Sequence, residues 1–127
     1  MKPIIKWSGG KSKELPIIRE YKPFYFEKYY EPFVGGGACW FNLNHKQNIV
    51  SDNFVELIDF YNIIKEHKQE SLQYINEVVN QYNTIDKKQL TKDEFKELGN
   101  EYYYKYRDNE YTKPLDRALK FYMMRQL

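Results

Sequence analysis

The sequence is poor in the residues that build covalent or metal-held scaffolds. Cys39 is the only cysteine among 127 residues, so no internal disulfide can form and a reducing compartment is expected. The two histidines, His45 and His67, have no cysteine or carboxylate pattern around them, which argues against a zinc site. Ser8, Ser12 and Ser71 lack an ordered His/Asp partner motif, so no nucleophilic triad is expected. No stretch approaches the roughly 18 apolar residues a membrane span needs, and no charged-then-apolar leader opens the chain. The expectation is a cytoplasmic or nucleoid-associated protein with no membrane contact and no metal. No Gly/Ser-rich or Pro-rich linker divides the chain, whose length suits one domain of roughly 100 to 150 residues with a real core.

An excess of charge is lacking too. Twenty Lys and Arg stand against eighteen Asp and Glu, a net charge of +2 that excludes neither nucleic acid nor protein partners. The two ends are more basic. Residues 1–22 carry Lys2, Lys6, Lys11, Lys13, Arg19 and Lys22 against Glu14 and Glu20, and residues 113–127 carry four positive charges against Asp116. Either end can face phosphate, or be ordinary solvated lysine, because no run of five or six like charges occurs. Aromatics are what the chain has in quantity: thirteen Tyr and eight Phe, crowded at Tyr21, Phe24, Tyr25, Phe26, Tyr29, Tyr30 and Phe33. Core or half-exposed packing is the expected role of most of them, with base stacking open to one or two.

Apolar spacing predicts a mixed α/β chain. Residues 1–11, with Pro3, Gly9 and Gly10, read as an extended arm and a turn. A helix over 12–20 follows, with Leu15, Ile18 and Tyr21 inward and Pro16 in its early turns. Residues 28–34 read as a buried strand feeding a glycine turn, Ala38 to Leu43 as a helix, and Asn48 to Ser51 as a second strand. Leu57, Ile58, Tyr61 and Ile64 mark one amphipathic helix, and Leu72, Ile75, Val78, Val79 and Tyr82 mark another. Thr91 to Glu94 has the form of a capping box for a helix over about 92–106, with Phe95, Leu98, Tyr102 and Tyr106 on one face. Pro114 opens a last helix with Leu115, Ala118, Leu119, Tyr122, Met123 and Gln126 on one side. That helix reaches the end of the chain with no cap, which reads as truncation.

Three blocks carry the chemistry: Lys6-Trp7-Ser8-Gly9-Gly10-Lys11, Glu31-Pro32-Phe33-Val34-Gly35-Gly36-Gly37, and Ser51-Asp52-Asn53. A strand entering a Gly-rich turn, with a carboxylate at the end of the next strand, is how a doubly wound sheet grips an adenosine-type ligand. Glycines let backbone N–H groups approach a ligand closely, and Asp52 is spaced to accept from both hydroxyls of a ribose. A purely structural turn and an Asp52 that caps the next helix remain open alternatives. The dinucleotide pattern fails because Trp40 stands where its third glycine belongs. Gly10-Lys11-Ser12 ends like a phosphate loop, but Ile5 occupies the first glycine position and no strand precedes it. Trp7 beside Lys11 can instead cover an adenine or sulfonium cation while the lysine pairs with a carboxylate, or Trp7 can simply anchor the arm.

In this order the blocks resemble the first three of the Dam-type DNA adenine-N6 methyltransferases. The stretch from Tyr102 to Leu127, with Asp116-Arg117-Ala118, Phe121-Tyr122 and Arg125, is similar to the helical lead-in to that family's target-recognition region. The resemblance implies a Rossmann-like S-adenosylmethionine-dependent methyltransferase fold, here a partial sheet followed by a helical segment. It divides the chain into a cofactor-binding part over 1–70 and a helical part over 71–127 that leads into DNA recognition. It implies that Trp7 and Lys11 contact S-adenosyl-L-methionine, that the turn from Phe33 through Gly35 to Gly37 holds the methionine end, and that Asp52 binds the ribose hydroxyls. Arg125 would contact double-stranded DNA. Ser8 replaces the family's common alanine, and Phe54 stands where a polar residue often follows the Asn. The family's D-P-P-Y block is absent, since no two of Pro3, Pro16, Pro23, Pro32 and Pro114 are neighbours. A catalytic segment is then expected from a missing C-terminal stretch or a second chain, and this chain alone is expected to be inactive. The alternative is a cofactor-sensing or DNA-binding module that retains the fold.

Overall fold

The structure is a computed structural model that describes residues 3–127; Lys2 of the N-terminal basic cluster lies outside the described residues. The chain forms two compact units that divide between Ile58 and Asp59. The first holds α1 (Leu15–Tyr21), β1 (Tyr29–Glu31), α2 (Ala38–Leu43) and β2 (Asn48–Val50). A long helix, α3 (Val55–Glu66), contains the dividing point, and α4 (Lys68–Thr84), α5 (Lys92–Arg107) and α6 (Pro114–Gln126) follow. Short 3-10 turns cover Lys11–Lys13 and Lys87–Gln89.

The predicted helix over 12–20 begins later than its spacing suggests. Pro16 has no N–H to donate and is tolerated only in a first turn, so the α-helix starts at Leu15 and the residues before it wind as a 3-10 turn. No residue of α1 is buried. Tyr21, expected inward, is exposed, as are Phe24 (102%), Tyr25 and Phe33 (82%), so this aromatic crowd is not the core of the unit. The apolar residues buried here are Ile5, Val34, Ala38 and Cys39, which gather about the glycine loop, and Leu57 at the start of α3.

The strands β1 and β2 pair in parallel, Tyr29 against Asn48, Tyr30 against Ile49 and Glu31 against Val50. The ladder extends beyond the strands through Tyr29 N–H to the Gln47 carbonyl (2.9 Å), Ser51 N–H to the Glu31 carbonyl (2.9 Å) and Val34 N–H to the Ser51 carbonyl (2.9 Å). Parallel strands need a crossover, and α2 supplies it, ending at Asn44, whose φ of 46° turns the chain back toward β2. The result is one parallel β-α-β unit. The two strands are all the sheet there is among the described residues, a small parallel pair in an otherwise helical chain, compatible with a methyltransferase domain.

The second unit is helical. Its core consists of Phe60, Tyr61, Ile63, Ile75, Tyr106, Ala118, Leu119, Phe121 and Met123, with α6 packed on both α4 and α5. Phe60 stacks toward Phe121 with ring centroids 5.2 Å apart. Leu72 and Phe95, assigned to inward faces by spacing, point to solvent, while Phe60, Ile63 and Ser71 are buried instead. The capping box forms as predicted: the Thr91 hydroxyl accepts from Glu94 N–H (3.3 Å), and the Glu94 carboxylate accepts from Thr91 N–H (2.8 Å). Arg117 binds Asp59 with two nitrogens at 2.8 and 3.1 Å, a forked geometry that fixes both side chains. The Tyr74 hydroxyl donates to Asp116 at 2.7 Å. That bond, then burial, pushes the Tyr74 pKa up to about 12.

Candidate cofactor site

The glycine loop between β1 and α2 is shaped around a side chain. A Cβ on Gly36 would lie 2.7 Å from Cβ of Trp7, and one on Gly35 would lie 2.9 Å from its indole Nε1, so both positions must lack a side chain for Trp7 to seat. Gly35 also has a φ of +48° and Gly37 one of +73°, conformations that cost other residues strain. The missing Cβ atoms therefore first make room for Trp7. The loop's N–H groups are engaged as well: Gly37 N–H donates to the Val34 carbonyl at 2.8 Å, and Gly35 N–H donates to Asp52 Oδ2 at 2.9 Å.

Asp52 links two pieces of backbone. Its Oδ2 takes the Gly35 N–H across 17 residues of sequence, and its Oδ1 takes Phe54 N–H at 3.0 Å just before α3. The second bond is the local turn that Asp side chains commonly form. Only two of about four lone-pair positions on a carboxylate are used this way, so Asp52 retains capacity to accept two hydroxyl protons. Phe54 meets the Trp7 ring edge-on, with centroids 5.7 Å apart. The first block, the glycine loop and the acidic block are thus brought together at Trp7, Gly35, Gly36 and Asp52.

A cavity of about 670 Å³ opens beside Trp7, lined by Ile5, Lys6, Ser12, Gly36, Ala38 and Asn42 among others. Its volume is in the range of small-molecule sites, roughly 300 to 1,000 Å³. Lys6 belongs to the first sequence block, whereas Asn42 is not among the residues that the sequence singles out. Asn42 follows Ala38 by one helical turn on α2, and that spacing would have flagged it. Lys11 lies on the 3-10 turn with its ammonium 3.4 Å from the Gly9 carbonyl, and neither it nor Phe33, Gly37 or Asp52 lines this cavity. Arg125 is in the second unit, in the last turn of α6, with its guanidinium 5.4 Å from the centre of the Phe121 ring. The α2 helix has six residues, too few for a strong aligned dipole at the loop.

Beneath the loop sits a polar cluster. The Tyr29 hydroxyl donates to Glu31 Oε2 at 2.8 Å. Burial raises the Glu31 pKa above the usual carboxylate range, opposed by hydrogen bonds from Tyr29 and from the Trp40 backbone N–H. Burial also pushes up the Tyr29 phenol and the Cys39 thiol, and the Glu31 charge adds to both. A thiol so held is a packing group, not a nucleophile. Among the described residues no group of three His, Cys, Asp or Glu side chains is arranged to hold a metal ion, and no helix is long and apolar enough to cross a membrane.

A model of the D12 class N6 adenine-specific DNA methyltransferases matches residues 7–127. The chain belongs to this family. Among its relatives, the type II methyltransferase M.CviBI of Paramecium bursaria Chlorella virus NC1A is 39% identical over 74 residues, 57% of this chain and 28% of that protein. The type II methyltransferase M.MjaIII of Methanocaldococcus jannaschii is 34% identical over 118 residues, 86% of this chain and 38% of that protein. The DNA adenine methylase of Serratia marcescens is 31% identical over 117 residues, 92% of this chain and 38% of that protein. The D12 family chain therefore spans less than two fifths of the length of these relatives.

Proposed function

We propose that this chain is the cofactor-holding N-terminal portion of a site-specific DNA adenine-N6 methyltransferase that uses S-adenosyl-L-methionine. The observation that carries the reading is the convergence of Trp7, the glycine loop and Asp52. Two features support the fit: Asp52 keeps two acceptor positions for a ribose diol, and a cavity of adequate size, which Asp52 itself does not line, lies against Trp7 and Gly36. When bound, the cofactor supplies a methyl group activated by a sulfonium centre. Trp7 offers its ring to adenine or to that cation, Lys11 pairs with the cofactor carboxylate, and the turn from Phe33 through Gly35 to Gly37 borders the methionine end. The parallel β-α-β unit is then the start of a Rossmann-like sheet. On this reading residues 1–70 serve the cofactor, residues 71–127 lead into DNA recognition, and Arg125 contacts double-stranded DNA.

Transfer needs more than cofactor binding. The exocyclic amine of adenine is a weak nucleophile and lies inside the duplex, so the base must be flipped out and its amino group held against the methyl donor. The D-P-P-Y block that does this in the resembling enzymes is not in these 127 residues. We therefore expect negligible transfer from them alone and assign the block to additional sequence, in the same polypeptide or a second chain.

Calorimetric titration with S-adenosylhomocysteine tests the reading. Binding by the wild type, weakened about 100-fold by Asp52→Ala and about tenfold by Lys11→Ala, is the expected result, since each removes a charged partner. A folded chain that binds neither S-adenosylmethionine nor S-adenosylhomocysteine would overturn it.

A further inference from the structure

We infer that Tyr29 is a positioning residue for the cofactor loop, acting through Glu31; this rests on the cofactor reading above. The glycine loop leaves β1 just after Glu31 and enters α2 at Gly37, and α2 has no side-chain cap at its own first residue. An uncapped helix start leaves N–H groups without partners. The Glu31 carboxylate, reaching across from the strand, takes one of them, the N–H of Trp40. Its Oε2 accepts the Tyr29 hydroxyl at 2.8 Å, and Tyr29 is itself anchored in the parallel ladder through its N–H to Gln47. A brace of Tyr29, Glu31 and Trp40 therefore spans the base of the loop that seats Trp7 and meets Asp52.

The brace works only while Glu31 is ionised, because a carboxylate accepts at both oxygens and a carboxylic acid does so less well. The titratable groups near Glu31 are Tyr29 on the same strand and Cys39 on α2; Lys11 and Glu14 act in turn on Cys39. Burial raises the Glu31 pKa and the Tyr29 hydrogen bond lowers it, so removing the hydroxyl raises it further.

The test is the pH profile of S-adenosylhomocysteine affinity for the 127-residue chain, for Tyr29→Phe and for Glu31→Gln, with thermal melts to confirm folding. Wild-type affinity should fall on the acid side as Glu31 protonates. Tyr29→Phe should weaken binding about fivefold at neutral pH, the worth of one hydrogen bond, and move the acid limb to higher pH. Glu31→Gln should remove the Glu31 step from that limb. If the wild type binds but Tyr29→Phe keeps the wild-type limb, whether or not affinity drops equally at every pH, the inference fails and the cofactor site stands. If the wild type does not bind at all, the site reading itself fails and takes the inference with it. Should Glu31→Gln not fold, Tyr29→Phe, which retains its ring, decides alone.

Discussion

The units on either side of Ile58 and Asp59 are held together by different means. In the first, strands of three residues and helices of six and seven are tied by specific bonds: Asp52 to Gly35, Glu31 to Tyr29 and Trp40, and Trp7 against two glycines that cannot bear a Cβ. In the second, helices of 13 to 17 residues pack apolar side chains around Phe60, Ile75, Leu119 and Phe121. Damage to the helical unit should appear as lost stability. Damage to the loop unit should appear as lost ligand affinity.

The largest effect is expected at Phe60, which is 1% exposed: Phe60→Ala should cost about 3 to 5 kcal/mol in urea unfolding, the range for deleting a buried ring. A loss below about 1 kcal/mol would break the comparison. Gly36→Ala drives a Cβ to within 2.7 Å of the stem of Trp7, which cannot swing away as a side-chain tip would. Overpacking of this kind costs about 1 to 3 kcal/mol, and the variant should lose affinity for S-adenosylhomocysteine out of proportion to its stability. Thr91→Ala removes one half of the capping box and should lower the urea midpoint by the equivalent of about 1 kcal/mol, with ligand affinity unchanged. The smallest effect is a pH dependence. The folded-state pKa of Tyr74, about 12, lies above its ordinary value, so the bond to Asp116 contributes stability that is fully present below about pH 10 and is lost as pH rises toward 12. Urea midpoints at pH 9 and 11 should differ less for Tyr74→Phe than for the wild type.

What could be read beforehand follows the same division. Helix α6 starts at the expected proline, α2 spans the expected residues, and the capping box of α5 is formed, because periodicity and capping chemistry are local signals. Spacing misplaced Leu72 and Phe95, because a helix face turned toward its neighbours is set by tertiary packing and not by period alone. In the loop unit the glycines announced a close approach, but not of what: that Trp7 fills the space, and that Asp52 reaches back to Gly35, depends on chain crossing a long sequence separation. The Tyr29 and Glu31 pair sat two residues apart on one strand face, a spacing that would have revealed it had the pair been sought.

The most direct test of the account is a titration of the isotope-labelled chain with S-adenosylhomocysteine, following backbone amides and the two tryptophan indoles by NMR. The account predicts that the Trp7 indole and the amides of Gly35, Gly36, Gly37 and Phe54 shift together and saturate at one ligand per chain, while those of α5 hold still. Saturable shifts confined to the helical unit, or no shift at the Trp7 indole and glycine amides of the folded chain, would contradict it.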